Sequence, residues 1–211
     1  MSLLQTDPVK PSIPAEPARQ FQPFEKHRFT VEEYDALGEL NLPPGKTELV
    51  HGEIVHMPPV GNAHAVTLDR LYRRLIPLFP EPWFIRTQST HRMGEHLARE
   101  PDIAVLTGEP IIGAKLDEPP KLVVEISDTT LANDLGPKRL DYGNCGFPDY
   151  WVIDVQRKVV HVFRGPVVAA TEAEQAYASH QIVEVTGVLT PLAAPAAQIR
   201  VADIMPKAAA T

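Results

Sequence analysis

The order of segments in this chain predicts an α/β (α+β) protein with a mixed central β-sheet flanked by helices. Two observations carry that expectation. Helix-periodic and strand-like runs follow one another as helix, hairpin, helix, three strands, helix and two strands, the alternation that packs helices on the faces of a sheet. The run Leu122-Val123-Val124-Glu125-Ile126 is apolar at every position but one, which marks a central strand covered on both sides. With 211 residues, 44% hydrophobic and 22% charged, the composition is that of one globular domain with a sizeable core. We expect a Pro-rich tail over residues 1–25 and a single domain over 26–211.

The tail holds Pro8, Pro11, Pro14, Pro17 and Pro23 and has no apolar periodicity. Thr30-Val31-Glu32-Glu33 fits a capping box, and Val31, Tyr34 and Leu37 then recur at helical spacing up to Gly38. Residues 47–57 read as a hairpin whose tight turn is His51-Gly52. Leu49 and Val50 are both apolar, so the pattern alone does not fix the inward face of its first arm. A helix is expected over about 62–79, with Val66, Leu68, Leu71, Leu75, Ile76 and Phe79 on its apolar stripe. Arg70, Arg73 and Arg74 lie off that stripe, as a solvated face or as phosphate contacts.

Trp83 to Met93 reads as one extended segment, and Gly94 to Glu100 as a polar loop. Two strands follow, Pro101-Asp102-Ile103-Ala104-Val105-Leu106 and the run containing Glu125, paired as a hairpin across a loop with Gly108, Pro110, Gly113 and Pro119-Pro120. A helix is expected over about 134–144, capped by Asn133 or Asp134, with Pro137 in its first turn. Residues 149–154 and 158–163 are strands joined near Gln156-Arg157. Weaker signals place a strand near 177–185, a loop at 191–197 and a short helix at 201–205.

Bulk properties remove several classes of function. Net charge is −7 with pI near 5.6, so no global attraction draws the chain to nucleic acid or an anionic membrane, although bound cations or a local basic patch would suffice. Cys145 is the one cysteine, which rules out an internal disulfide and reads as a small buried residue. No run of 18 apolar residues occurs and no secretory signal is visible, so the expected location is the cytoplasm. The eight histidines show no local zinc spacing, and there is no Gly-rich phosphate loop or nucleophile elbow. Tyr150 and Trp151 read as core or interface residues rather than a platform for bases.

What remains is a pair of awkwardly placed acids. Asp102 opens one strand and Glu125 interrupts the next, 23 residues later. A carboxylate inside an apolar strand needs a partner, a proton or a metal, because burying it alone costs several kcal/mol. Neighbouring strands would let both acids converge on one hard divalent cation, Mg²⁺ or Mn²⁺, which takes one or two carboxylates plus waters and substrate phosphate. Asp134 and Lys138 follow, and a nearby ammonium would stabilise developing negative charge. The alternative is a buried acid tied to arginine or backbone amides. His64 is a candidate for the edge of this site or for a helix cap, and Gln88 and His91 are candidates for the cleft wall.

Five blocks in order, Glu48-Leu49-Val50-His51-Gly52-Glu53, Pro101-Asp102-Ile103-Ala104-Val105, Val123-Val124-Glu125-Ile126-Ser127, Asp134 to Lys138 and Pro148-Asp149-Tyr150-Trp151-Val152-Ile153-Asp154, resemble the Uma-two family of restriction-endonuclease-like proteins, within the PD-(D/E)xK nuclease superfamily. The resemblance spans about residues 28–165. It implies a restriction-endonuclease-like core, metal ligation by Asp102, Glu125 and the Ile126 carbonyl, and Glu48 as an additional acid. The superfamily's lysine is absent, because its position is Ser127. The resemblance implies that Lys138, on the following helix, takes the part. The functions that follow are a Mg²⁺-dependent endonuclease acting on DNA or, as the alternative, an inactive binding or dimerisation module of the same fold. A homodimer formed through an exposed strand at 149–163 is compatible with either.

Overall fold

The computed structural model describes residues 26–111, 119–171 and 174–207. The expected Pro-rich tail lies outside the described residues, as does 112–118 of the loop between the two acid-bearing strands. In chain order the elements are α1 (Val31–Glu39), β1 (Thr47–Val50), β2 (Glu53–His56), α2 (Asn62–Leu75), β3 (Trp83–Thr87), β4 (His91–Gly94), β5 (Leu97–Arg99), β6 (Ile103–Thr107) and β7 (Leu122–Ser127). Then come α3 (Leu131–Leu135), α4 (Pro137–Asn144), β8 (Asp149–Asp154), β9 (Val159–Pro166), β10 (Tyr177–Val183), β11 (Val188–Leu189), β12 (Ile199–Arg200) and α5 (Val201–Ile204).

The central sheet has six strands in the order β10-β9-β8-β7-β6-β3. Only β7 and β8 are parallel, and the helical connection through α3 and α4 makes that crossover possible. On one face, Leu71 and Leu75 of α2 and Ile204 of α5 pack with Val124, Ile126, Trp151 and Ile153. On the other, Tyr142 and Phe147 pack with Val123, Tyr150, Val152 and Phe163. Val123 and Val124 thus enter different cores, which is why the β7 run is apolar at successive positions. Each such side chain stabilises the fold by about 1.5–3 kcal/mol when fully buried.

A second sheet, β2-β1-β5-β4, packs against α1. The capping box at Thr30 and Glu33 is formed. In the β1–β2 turn, His51 and Gly52 both have positive φ (50° and 84°), the geometry expected of a two-residue hairpin. Leu49 is the residue of the first arm that reaches the core, with Val31 and Ala98.

Several expectations need correction. The segment 83–93 is two strands in different sheets, separated at Gln88, where φ is 47°. The polar loop expected at Gly94–Glu100 contains β5. Its three residues are all buried, and Arg99 looked like a loop residue only because its acidic partners lie far away in sequence. The helix expected over 134–144 is two helices broken at Gly136 (φ −105°, ψ −102°), since Pro137 disfavours helical backbone in the residue before it. The α-helix ends at Leu75, so Ile76 lies beyond it and is exposed; within α2, Val66 is only half-buried, while His64 and Thr67 turn inward. The strand expected to be exposed for self-association is interior, because β8 and β9 lie between β7 and β10.

Candidate functional site

The β6–β7 ladder brings the two sequence-predicted acids together. Ile103 pairs with Val124, so one step further the register sets Asp102 opposite Glu125. The Asp102 carboxylate takes over where the ladder ends: its Oδ2 accepts from the Ile126 backbone N–H at 2.8 Å. A residue's N–H and C=O leave a strand on the same edge, so the Ile126 carbonyl also faces the Asp102 side. Both acids are buried, at 6% and 2% exposure.

Lys138 reaches them from α4. Its Nζ lies 3.0 Å from Glu125 Oε1, 3.6 Å from Glu48 Oε1 and 3.7 Å from Asp134 Oδ1. The break at Gly136 points this lysine inward, and Ser127 helps to set it. Ser127 Oγ and Thr130 Oγ1 each donate to Asp134 Oδ2 at 2.6 Å, and Tyr150 donates to the Asp134 carbonyl, which pins α3 against the sheet. The residue at the missing lysine's position therefore anchors the helix pair that supplies Lys138. Tyr142, one turn further along α4, donates its hydroxyl to Glu125 Oε1 at 2.6 Å.

Glu48 arrives from the smaller sheet and is tied down by Arg99. The Arg99 guanidinium donates to Glu48 at 2.8 Å and to Asp141 at 2.5 and 3.0 Å, and Glu48 Oε1 accepts from the Glu100 N–H. His51 lies 3.1 Å from the other Asp141 oxygen. Arg99 and Asp141 thus couple β1 and β5 to α4 across the site. Neither stood out in the sequence, because an Arg between two sheets is recognisable only once its partners are adjacent.

The electrostatics follow from burial. Five buried carboxyl groups, Glu48, Asp102, Glu125, Asp134 and Asp141, face two permanent cations, Arg99 and Lys138, so acids outnumber bases here. Burial pushes Glu125 up to about 8, with Asp102, Asp134 and Glu48 adding to it against the pull of Lys138. Burial also opposes the charge on Lys138, but Glu125, Glu48 and Asp134 outweigh it and hold the ammonium above the ordinary lysine value. For Asp102, burial is overcome by His64, the Ile126 N–H and Lys138, so its carboxyl falls below the usual range. Glu48 is lowered in the same way, with Lys138 and Arg99 overcoming burial.

Such a donor set fits a divalent cation. Asp102 Oδ1 and Glu125 Oε2 make no hydrogen bond among the described residues, the Ile126 carbonyl faces the same edge, and the surplus charge is negative. A hard cation with several waters needs no more than one or two carboxylates. Among the described residues, no three His, Cys, Asp or Glu side chains form a ready-made cage. The acids open on a cleft of about 50 Å³ whose walls include Pro59, Gly61, His64 and Lys138.

His64 is closer to the centre than its sequence position suggested. Its Nε2 stands 2.9 Å from Asp102 Oδ2 and the residue is 7% exposed. The available signal was spacing, since residues 64, 67, 71 and 75 form the buried stripe of α2. Gln88 does not line this cleft, and His91 sits edge-on to Phe147 beside a separate hollow. Arg70, Arg73 and Arg74 share a shallow hollow with Asp69 and Asp203, away from the acids. Asp149, the other Pro-Asp acid, is structural: it accepts from Trp151, Arg164 and the Leu192 N–H.

A mixed sheet flanked by helices, with two acids at the end of one antiparallel pair and a lysine beside them, defines a nuclease-like core. The model of the Uma2 family, described as "Putative restriction endonuclease", matches residues 31–202, and the chain belongs to that family. Among solved structures, the chain is similar to one described as a putative nuclease belonging to DUF820 from Anabaena variabilis. The two share 17% identity over 80% of this chain and 96% of that one, with a TM-score of 0.57, a likeness of fold. No curated protein matches the chain. Among the described residues, no helix is long and apolar enough to cross a membrane.

Proposed function

We propose that the protein is a Mg²⁺-dependent endonuclease that hydrolyses phosphodiester bonds in DNA, with Mn²⁺ able to replace Mg²⁺. The observation that carries this reading is the position of Lys138 Nζ, 3.0 Å from Glu125 Oε1 although Ser127 occupies the motif position. Asp102, Glu125 and the Ile126 carbonyl would hold the ion, which supplies Lewis-acid stabilisation of phosphate oxygens and a more acidic water. Lys138 stays cationic, so it orients the attacking water and offsets charge as the pentavalent phosphorus centre forms; it does not act as a base. Glu48, held by Arg99, keeps the ammonium in place. Water adds to phosphorus and gives one proton to solvent, one P–O ester bond breaks, and the departing alkoxide takes a proton from solvent.

The test is cleavage of supercoiled and linear DNA by the full chain with Mg²⁺ or Mn²⁺, beside Asp102→Asn and Lys138→Met. We expect products from the wild type alone. A wild type that cuts no nucleic acid, or an Asp102→Asn protein that cuts equally well, overturns the reading. Ser127 favours a second reading, an inactive binding or dimerisation module, whose signature is metal binding with no cleavage. A homodimer made by strand pairing on the central sheet would use the edge of β10 or β3, since β8 and β9 are enclosed.

A further inference from the structure

We propose that His64 is an additional metal ligand, beside Asp102, and that it biases the site toward Mn²⁺ over Mg²⁺. The inference rests on the reading of Asp102 as a ligand and adds the identity of the ion the site prefers. Three observations support it. His64 Nε2 and Asp102 Oδ2 are 2.9 Å apart. Two cis ligand atoms at about 2.1 Å from one octahedral ion stand about 3.0 Å apart, so this spacing is that of one edge of a coordination octahedron as well as of a hydrogen bond.

The side chain is also aimed into the site. His64 is more than nine-tenths buried, on the core-facing stripe of α2, and it lines the same cleft as Glu125 and Lys138. Its Nδ1 is buried with no hydrogen-bond partner among the described residues, so Asp102 is its one polar attachment there. An ion seated between Nε2 and Asp102 would replace the Nε2–H···Oδ2 hydrogen bond, with the ring proton on Nδ1 and the Nε2 lone pair facing the ion.

The third observation concerns chemistry. Imidazole is a poor ligand for Mg²⁺, which prefers oxygen, and a good one for first-row transition metals. One nitrogen among oxygen donors raises affinity for Mn²⁺ relative to Mg²⁺. Glu125 is held by Lys138 and Tyr142, so His64 and Asp102 are the two side chains already at ligand spacing.

The experiment uses the full chain with Mn²⁺, read by electron spin-echo envelope modulation and by calorimetric competition with Mg²⁺, for wild type, His64→Gln and Asp102→Asn. We expect modulation from a directly bound imidazole nitrogen in the wild type and its loss in His64→Gln. That variant should also bind Mn²⁺ at least about tenfold more weakly, the range that losing even a supporting partner costs, with little change for Mg²⁺. Nitrogen modulation absent from a wild type whose Mn²⁺ binding depends on Asp102 overturns the role of His64 and leaves the Asp102 site standing. No Mn²⁺ binding by the wild type overturns both. The wild-type spectrum decides the matter even if the variant folds poorly.

Discussion

Lys138 Nζ and Glu125 Oε1 lie 3.0 Å apart in the interior, one on a helix and the other on a central strand. The lysine also stands 3.6 Å from Glu48 Oε1 and 3.7 Å from Asp134 Oδ1. Replacing Lys138 with Met therefore leaves Glu125 and Asp134 buried without the cation beside them. Breaking a buried pair in this way costs about 3–5 kcal/mol. We expect urea denaturation to show a loss of that size for Lys138→Met. Adding Glu125→Gln should recover part of it, because one of the stranded charges is gone.

The pH dependence of stability isolates Glu125. Its folded pKa, about 8, is above the ordinary glutamate value because of burial and the neighbouring acids. The folded state thus binds this proton more tightly than the unfolded chain, and its contribution is lost as pH rises toward 8. Asp102 and Glu48 are shifted down, so their contributions are present above the usual carboxylate range and disappear only in acid. His161 and His180 are shifted down mainly by burial and act below the ordinary histidine value. Between pH 6.5 and 8 the metal-free wild type should lose up to about 1.4 kcal/mol per pH unit. Glu125→Gln should be flat over that interval. Equal slopes in the two proteins would show that Glu125 is already ionised.

The sequence exposed what local pattern encodes. The capping box at Thr30, the His51-Gly52 turn and the double-sided run of β7 all formed as read, because each depends on neighbours in the chain. Asp102, Glu125, Glu48 and Lys138 stood out as charges in awkward places or through a resemblance, and the fold brings them into one cluster. Arg99 and Asp141 stayed hidden, since their burial depends on partners about 40 residues apart. His64 was left between the edge of the site and a helix cap, because a histidine at a helix start fits either until the opposing strand end proves to be an acid. Strand β5 was lost for a simpler reason, that three residues are too few to show alternation.

The two Pro-Asp dipeptides give a direct test of which carboxylate belongs to the site. Asp149 is fully buried and accepts three hydrogen bonds, from Trp151, Arg164 and Leu192, that join β8 to β9 and the 191–197 loop. Asn in its place turns a donor toward donors, and hydrogen bonds to a charged group are worth about 1.5–3 kcal/mol. We expect Asp149→Asn to lower stability by that amount and to bind Mn²⁺ as the wild type does. Asp102→Asn should lose Mn²⁺ binding by calorimetry, and it should also lower the melting temperature, because His64 and the Ile126 N–H favour the ionised carboxylate.

Gly143 limits how closely α4 packs, and with it the reach of Lys138. A Cβ at this position would stand 2.5 Å from the Ala176 carbonyl oxygen and 2.6 Å from the Ala176 Cβ, both too close for a contact that cannot bend away. Gly143→Ala must therefore push α4 off the segment leading into β10. Overpacking of this kind costs about 1–3 kcal/mol. The same helix carries Lys138, Asp141 and Tyr142, so the displacement also loosens the grip on Glu125. Gly38→Ala in α1 is the control: no atom lies within 4 Å of its added methyl, and a helical Gly→Ala change gains about 0.5–1 kcal/mol. We expect thermal melts of opposite sign for the two variants. Metal-dependent cleavage should fall in Gly143→Ala and stay at the wild-type rate in Gly38→Ala. A Gly143→Ala protein as stable and active as wild type would mean that α4 has slack, and that the position of Lys138 is not set by this contact.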